Sequence, residues 1–237
     1  QLPPTYEPSL VNADTDLVAM ASGLVRTRAG RICLYGPPGT GKTAYGRWLA
    51  QRIGVPLMIK RASDLMSKWV GGSEKNIARA FRAAEEEGAV LLIDEVDGFL
   101  QDRRHARASW EVSQVNELLT QMECFGGVFI ASTNLVRNLD QAALRRFDLK
   151  IKLDFLKPEQ AARLLVLQSS AMGLCKPTPA QLSTVMRLAC LTPGDFAAVE
   201  RRSRFQPVAS VSEMLAALGA ECSLKEEGAR SALGFLG

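Results

Sequence analysis

The sequence has 237 residues, a formal net charge of +4 and 47% apolar residues, which is typical of one large domain or one medium domain with a small companion. The single histidine, His105, excludes a multi-histidine metal site, and a catalytic triad would have to use that same residue. No apolar run approaches the roughly 18 residues of a membrane-spanning helix. The five cysteines are odd in number and lack C-x-x-C spacing, so we expect reduced thiols and a cytoplasmic protein.

Apolar strands and amphipathic helices alternate through the first two thirds of the sequence. The run at 89–93 is continuously apolar, as in a strand that is buried on both faces of a sheet. The other predicted strands lie at 31–35, 55–59, 128–131 and 149–153. Helices are predicted at 10–28 and between the strands, and Ser73 is expected to cap one of them. This alternation predicts a parallel sheet with helices on both faces, in an α/β domain of residues 1–155.

The remainder of the sequence has no strand pattern. Helix-start signals recur at Pro158, Pro179, Pro193 and Ser212. They predict an all-helical domain of residues 156–237. No internal repeat or low-complexity tract occurs in the sequence.

A glycine-rich motif of the form G-x-x-x-x-G-K-[ST] follows the first predicted strand and precedes a helix. Its residues are Gly36, Pro37, Pro38, Gly39, Thr40, Gly41, Lys42 and Thr43. In such a loop the glycines let backbone N–H groups converge on phosphate oxygens, and the helix N-terminus adds a favourable dipole. Lys42 is then placed for the β- and γ-phosphates and the Thr43 hydroxyl for Mg²⁺. The motif predicts a site for nucleotide phosphates and Mg²⁺.

An acidic pair, Asp94 and Glu95, follows the apolar run at 89–93. In a parallel α/β sheet the carboxyl ends of the strands face the bound phosphates, so we expect Asp94 in the Mg²⁺ shell. Glu95 is predicted to be the general base that polarises the attacking water. The two motifs together predict nucleotide hydrolysis.

A third stretch, at 67–77, is the most specific for a protein family. It reads Ser-Lys-Trp-Val-Gly-Gly-Ser-Glu-Lys-Asn-Ile. With the two motifs above, it resembles the AAA family of the AAA+ ATPases, and its katanin- and spastin-like protein-remodelling members in particular. The resemblance covers 34–154, and the helical tail resembles the family's lid; it implies a P-loop NTPase fold with an all-helical lid domain. It also implies a substrate pore loop of Lys68, Trp69, Val70 and Gly71. The alternative for Trp69 is an ordinary core position.

Two further stretches resemble functional segments of the AAA family. Ser132-Thr133-Asn134 is similar to the family's sensor 1, in which Asn134 would hold the attacking water or the γ-phosphate. The stretch at 139–148 resembles the segment that bears the arginine fingers. Arg145 and Arg146 are adjacent, whereas the family's two arginines are usually separated by two residues, so either one is a candidate to reach the neighbouring subunit's nucleotide.

These features predict an Mg²⁺-dependent ATPase that assembles as a ring or spiral, a hexamer by resemblance, with nucleotide between subunits. Its expected partner is a polypeptide pulled through a central pore, and no membrane span is expected. Two alternatives stay open. An arginine-rich loop at 103–107 is also compatible with a nucleic-acid motor of the same superfamily. The other is a scaffold that binds ATP, assembles and hydrolyses little, against which Glu95 and the paired arginines argue.

Overall fold

The computed structural model describes residues 6–69, 71–99, 109–134 and 141–234. The chain divides into two compact units, and three of the segments that define them are short. The first unit consists of Gln1–Leu2, Ala13–Gly36 and Lys42–Leu153, and the second of Pro3–Asn12, Pro37–Gly41 and Asp154–Gly237. The glycine-rich motif therefore has its first residue and its last two in the first unit and its middle five in the second.

The six-stranded sheet has the order β1-β6-β2-β5-β4-β3. Its strands are β1 (Asn12–Ala13), β2 (Gly30–Tyr35), β3 (Leu57–Arg61), β4 (Val90–Asp94), β5 (Val128–Thr133) and β6 (Leu149–Asp154). The pairs β2–β5, β2–β6, β3–β4 and β4–β5 are all parallel, which confirms the predicted α/β fold class. The two-residue strand β1 was not predicted, because two residues carry no periodicity.

Helices connect the strands of the first unit. They are α1 (Leu17–Thr27), α2 (Lys42–Ile53), α3 (Ala62–Leu65), α4 (Gly72–Glu86), α5 (Ser109–Cys124) and α6 (Gln141–Leu144), with a short 3₁₀ helix at Val96–Gly98. The helix predicted at 10–28 begins only at Leu17, because the Asp16 carboxylate caps it by accepting from the Val18 and Ala19 N–H groups at 2.9 and 3.0 Å. Ser73 lies inside the first turn of α4 and does not cap it, since the N-cap residue is Gly71.

The core of the first unit lies between the sheet and helices α4 and α5. Phe129 of β5 is fully buried and forms aromatic contacts with Phe81 at 5.1 Å and with Phe147 at 6.2 Å between ring centroids. Fully burying a phenylalanine side chain contributes about 1.5–3 kcal/mol to stability. These three rings fix β5 against α4 and against the segment that follows α6, and so they position the residues at the end of β5.

The second unit contains only helices and loops within its described residues 155–234. Its helices are α7 (Pro158–Ala171), α8 (Pro179–Val185), α9 (Pro193–Ser203) and α10 (Val211–Gly234), and a 3₁₀ helix at Pro8–Leu10 joins them. Leu10 is buried in their core, and the Gln160 side-chain amide donates to the Ser9 and Val11 carbonyls at 3.1 Å. None of the helices in the described part of the chain is long and apolar enough to cross a membrane.

Candidate active site

The carboxyl ends of three neighbouring parallel strands bring the predicted site residues of the first unit to one edge of the sheet. Tyr35 at the end of β2 pairs with Thr133 at the end of β5, and Ala131 of β5 pairs with Ile93 of β4. The residues that follow each strand therefore emerge side by side. In doubly wound α/β folds this edge is where ligands bind.

Asp94 is the centre of a hydrogen-bonded cluster at this edge. The Thr43 hydroxyl donates to Asp94 Oδ2 at 2.9 Å, and the buried Ser132 hydroxyl donates to Asp94 Oδ1. These hydroxyl and carboxylate oxygens are the hard ligands that Mg²⁺ prefers, so the cluster fits that cation. Among the described residues, no group of three or more His, Cys, Asp or Glu side chains is placed to hold a metal. A magnesium ion here would therefore also need phosphate and water oxygens, as is usual for that cation.

Lys42 lies at the first turn of α2 and is 8% exposed. Its ammonium group donates to the Gly36 carbonyl at 2.8 Å, so the side chain folds back along the glycine-rich loop. Burial lowers the pKa of Lys42 to about 8, against the opposing effect of the nearby Asp94 and Asp97 carboxylates. A buried cation held this way is destabilised by lost hydration, and a phosphate anion beside it would stabilise the charged form.

Gly36 is required at its position by a distant part of the chain. Its φ is +137°, and a Cβ atom there would lie 1.8 Å from the Leu153 carbonyl oxygen of β6. Its N–H donates to the Thr133 carbonyl at 3.3 Å. No other residue can occupy this position without moving the strand end, so the turn out of β2 is fixed at the point where the glycine-rich loop begins.

The middle of the loop is held within the second unit. The Gly194 N–H at the start of α9 donates to the Gly39 carbonyl at 2.9 Å. A Cβ atom on Gly39, whose φ is +81°, would lie 2.7 Å from the Thr192 hydroxyl oxygen. The Thr40 hydroxyl donates to the Pro37 carbonyl at 2.9 Å. The backbones of Gly39 and Gly194 thus approach so closely that neither position has room for a side chain.

Glu95 and Asn134 are exposed residues directly beyond β4 and β5. Glu95 has left-handed backbone angles, with φ 58° and ψ 45°, and its N–H donates to Asp94 Oδ1 at 3.1 Å. This conformation is strained for a residue with a side chain and typically costs about 1–3 kcal/mol.

Arg145 and Arg146 follow α6 and differ in their surroundings. Arg146 pairs with Glu123 near the end of α5, with an Nη1–Oε1 distance of 3.1 Å, whereas Arg145 is exposed. The segment is anchored by Asp148, which forms a two-pronged ion pair with Arg31 at 3.0 and 2.9 Å. The hydrogen bonds from Arg31 hold the pKa of Asp148 below its usual value.

The predicted pore loop projects from the first unit, with Val70 outside the described residues. Trp69 is 83% exposed, so the alternative that it occupies a core position is wrong. The loop is braced at its base, because the Ser67 N–H donates to the Ser73 hydroxyl at 2.9 Å and the Trp69 N–H donates to the Ser67 hydroxyl at 3.2 Å. A Cβ atom on Gly72 would lie 2.3 Å from the same Ser67 oxygen, which explains the glycine there.

Comparison with known proteins identifies the family of this chain. The family described as "ATPase family associated with various cellular activities (AAA)" matches residues 32–155, more than half of the chain. The chain belongs to the AAA family of ATPases. It is 30% identical over 190 residues to vacuolar protein sorting-associated protein 4 of Dictyostelium discoideum, and 35% identical over 174 residues to a probable spastin homolog of Brugia malayi. The alignments cover 76% and 70% of this chain but only 42% and 36% of the relatives.

Two polar residues of this AAA domain, Ser132 and Thr133, were quoted in the predicted sensor 1 stretch but were given no role of their own. Ser132, which is 0% exposed, and Thr133, which is 1% exposed, lie at the end of β5. Their hydroxyls donate to the carboxylates of Asp94 and Asp97 respectively. A signal for them existed in the sequence, because two hydroxyl residues end an apolar strand there. The arginine-rich loop at 103–107 lies outside the described residues.

Proposed function

We propose that this chain binds Mg²⁺-ATP at residues 36–43 and hydrolyses it to ADP and phosphate. The observation that carries the proposal is the Asp94 cluster, in which the motif's own Thr43 hydroxyl donates to the carboxylate at the end of β4. Membership of the AAA family supports it independently. We assign the nucleotide-binding domain to residues 1–155 and the lid to residues 156–237.

Each residue of the proposed site then has a distinct task. Lys42 lies against the β- and γ-phosphates, and their charge keeps its ammonium protonated. Thr43 and Asp94 hold Mg²⁺, which supplies charge neutralisation of the phosphate oxygens when bound. Glu95 accepts the proton of the attacking water, and Asn134 orients that water. Ser132 keeps Asp94 in position by donating to its second oxygen.

We propose further that the active form is a ring or spiral, a hexamer, with an arginine reaching the nucleotide of the neighbouring subunit. Arg145 is the better candidate for this role. It is exposed, whereas Arg146 is engaged by Glu123 of its own chain at 3.1 Å. An arginine that acts in trans must be available to the partner's nucleotide, and Arg146 would first have to give up its ion pair.

The substrate that we propose is a polypeptide, gripped by Trp69. A large aromatic ring with 83% of its surface exposed, on a loop braced at Ser67, can press between the side chains of an extended chain whatever its sequence. The proposal also draws on the similarity to a spastin homolog and to a vacuolar protein sorting-associated protein.

The nucleotide proposal is tested with Lys42→Ala and, as a matched control, Lys176→Ala at an exposed position in the second unit. Titration of the purified proteins with a fluorescent ATP analogue is expected to show at least about a tenfold weaker affinity for Lys42→Ala, because one phosphate contact carries about 1.4 kcal/mol or more. The control should equal the parent. Parental affinity in Lys42→Ala would refute the assignment. Adding a disordered protein or DNA to the parent's ATPase assay separates the proposed substrate from the nucleic-acid alternative.

A further inference from the structure

Two of the five cysteines lie side by side in the second unit. Cys190 precedes α9, and Cys222 belongs to α10. The Cys190 thiol donates to the Cys222 carbonyl oxygen, with 3.6 Å between Sγ and O. Neither forms a disulfide in this structure. This proximity is the geometry from which an intramolecular disulfide forms with a small local movement.

The two thiols differ in exposure, and the difference sets an order of reaction. Cys190 is partly exposed, whereas Cys222 is 4% exposed. Burial raises the pKa of the Cys222 thiol. Because the thiolate is the nucleophile in disulfide exchange, the accessible Cys190 is the thiol that reacts first with an external reagent, and Cys222 is the one that resolves the product.

The pair is connected to the glycine-rich loop through the four residues that follow Cys190. At the end of that short segment, the Gly194 N–H donates to the Gly39 carbonyl at 2.9 Å. The segment is tied to α10 by Lys225, one turn beyond Cys222, which donates to the Cys190 carbonyl at 3.0 Å and forms an ion pair with Asp195. A change in the position of Cys190 relative to α10 therefore acts directly on the segment that contacts Gly39.

We propose that Cys190 and Cys222 form a redox-active pair, and that their oxidation by a low-molecular-weight disulfide such as glutathione disulfide weakens nucleotide binding at the glycine-rich loop. The Cys190 thiolate attacks one sulfur of glutathione disulfide and releases the first glutathione. Cys222 then attacks the Cys190 sulfur of the mixed disulfide and releases the second. The protein dithiol loses two electrons and two protons, and both appear in the two molecules of reduced glutathione.

The physical reason for the effect on binding is the length of the new bond. A disulfide holds the two sulfurs about 2.0 Å apart, closer than two unbonded sulfur atoms can approach. The movement of Cys190 towards α10 displaces the segment 191–194 and lengthens the Gly194–Gly39 hydrogen bond. Coupling between two such sites typically changes affinity by about 5- to 150-fold. This second half of the inference rests on the proposed function, because it requires nucleotide at residues 36–43.

The experiment uses the full chain with Cys124→Ser and Cys175→Ser, which removes the two exposed cysteines that lie elsewhere. The protein is incubated with reduced or oxidised glutathione, the disulfides are mapped by mass spectrometry after digestion, and affinity is measured with a fluorescent ATP analogue. The expected result is a Cys190–Cys222 disulfide, an affinity at least about fivefold weaker, and full recovery after dithiothreitol. Cys190→Ser and Cys222→Ala, each in the same background, should show no response to the oxidant.

Absence of a Cys190–Cys222 disulfide at an oxidising glutathione ratio overturns the proposal. So does a mapped disulfide that leaves affinity within twofold of the reduced protein. The Cys190→Ser variant keeps the test valid if the buried Cys222→Ala variant does not fold. The ATP affinity of the reduced protein tests the proposed function. The mapped disulfide and the ratio of ATP affinities in the oxidised and reduced protein test the cysteine pair. The two proposals can therefore fail independently.

Discussion

The Thr43 hydroxyl donates to Asp94 Oδ2 at 2.9 Å, which joins the first turn of α2 to the end of β4 across 51 residues of sequence. The second oxygen of the same carboxylate accepts from Ser132 at the end of β5. Three elements of the sheet edge thus converge on one carboxylate. An oxygen cluster fixed by parallel strands and a helix is preorganised, so binding a cation there requires little rearrangement of the protein.

The Asp94 cluster predicts that Asp94→Asn removes the magnesium dependence of nucleotide binding. Asparagine keeps the shape and can still accept from Thr43, but it lacks the negative charge that attracts the cation. We expect Mg²⁺-ATP to bind at least about tenfold more weakly, about 1.4 kcal/mol, and with the same affinity in the presence of a chelator. Asp97→Asn is the matched control, since Asp97 accepts from Thr133 and not from Thr43. The idea is wrong if Asp94→Asn retains a parental ratio of affinities with and without Mg²⁺.

The lowered pKa of Lys42 predicts a pH dependence of nucleotide affinity. In the protein without nucleotide, Lys42 loses its proton near pH 8, because burial disfavours the charged form. Bound phosphates favour the charged form and raise that pKa, so above pH 8 binding must take up a proton. Affinity is therefore expected to be constant below pH 8 and to fall above it, by up to about tenfold per pH unit.

Isothermal titration calorimetry in two buffers of different ionisation enthalpy checks this proton uptake, which should be near zero at pH 7 and approach one proton at pH 9. Lys42→Arg provides the control, because a guanidinium stays protonated over this range. Its affinity should not vary between pH 7 and pH 9, whatever its size relative to the parent's. Equal proton uptake at both pH values in the parent would contradict the prediction.

Local sequence was enough to predict the fold class and the places of the glycine-rich loop and Asp94 at strand ends, because each depends on residues within a few positions of one another. Local sequence could not predict contacts between residues that lie far apart in the chain. Gly36 is required by the Leu153 carbonyl, 117 residues away, and Gly39 by the start of α9. The engagement of Arg146 by Glu123 is likewise a tertiary contact, so adjacency in sequence left the two arginines equivalent. The α1 start was misplaced for a local reason, the cap supplied by Asp16.

Glu95→Gln is expected to separate binding from hydrolysis. Glutamine preserves the size and the left-handed backbone position of residue 95, but it cannot accept a proton at neutral pH. The variant should bind ATP as the parent does and hydrolyse it at least about 10²-fold more slowly. Phosphate release under saturating ATP measures the rate, and equilibrium titration measures the affinity. Near-parental turnover would mean that the water is activated by another group.

The two arginines are predicted to give unequal defects. Arg145→Ala should lower the ATPase rate by about 10³–10⁵-fold with little change in ATP affinity, as expected for an arginine finger acting in trans. Arg146→Ala, which removes a partly exposed ion pair with Glu123, should be much closer to the parent. Mixing Arg145→Ala with Lys42→Ala should restore part of the activity, because the intact arginines of one variant serve the intact loop of the other. If the two proteins co-assemble and no activity returns, Arg145 does not act in trans.

Among the residues whose side chains the structure describes, two highly exposed aromatic rings make a matched pair for testing the pore loop, Trp69 at 83% and Phe205 at 90% exposure. Removing either ring takes away little buried area, so Trp69→Ala and Phe205→Ala should both leave the melting temperature and basal ATPase rate near the parental values. Only Trp69→Ala is expected to lose the stimulation of ATPase by an unfolded model protein, since the proposed grip depends on that ring. Trp69→Tyr should keep much of the stimulation, because a large aromatic surface remains. Equal stimulation in both alanine variants, measured alongside their melting curves, would remove the pore-loop assignment and with it the main reason for proposing a polypeptide substrate.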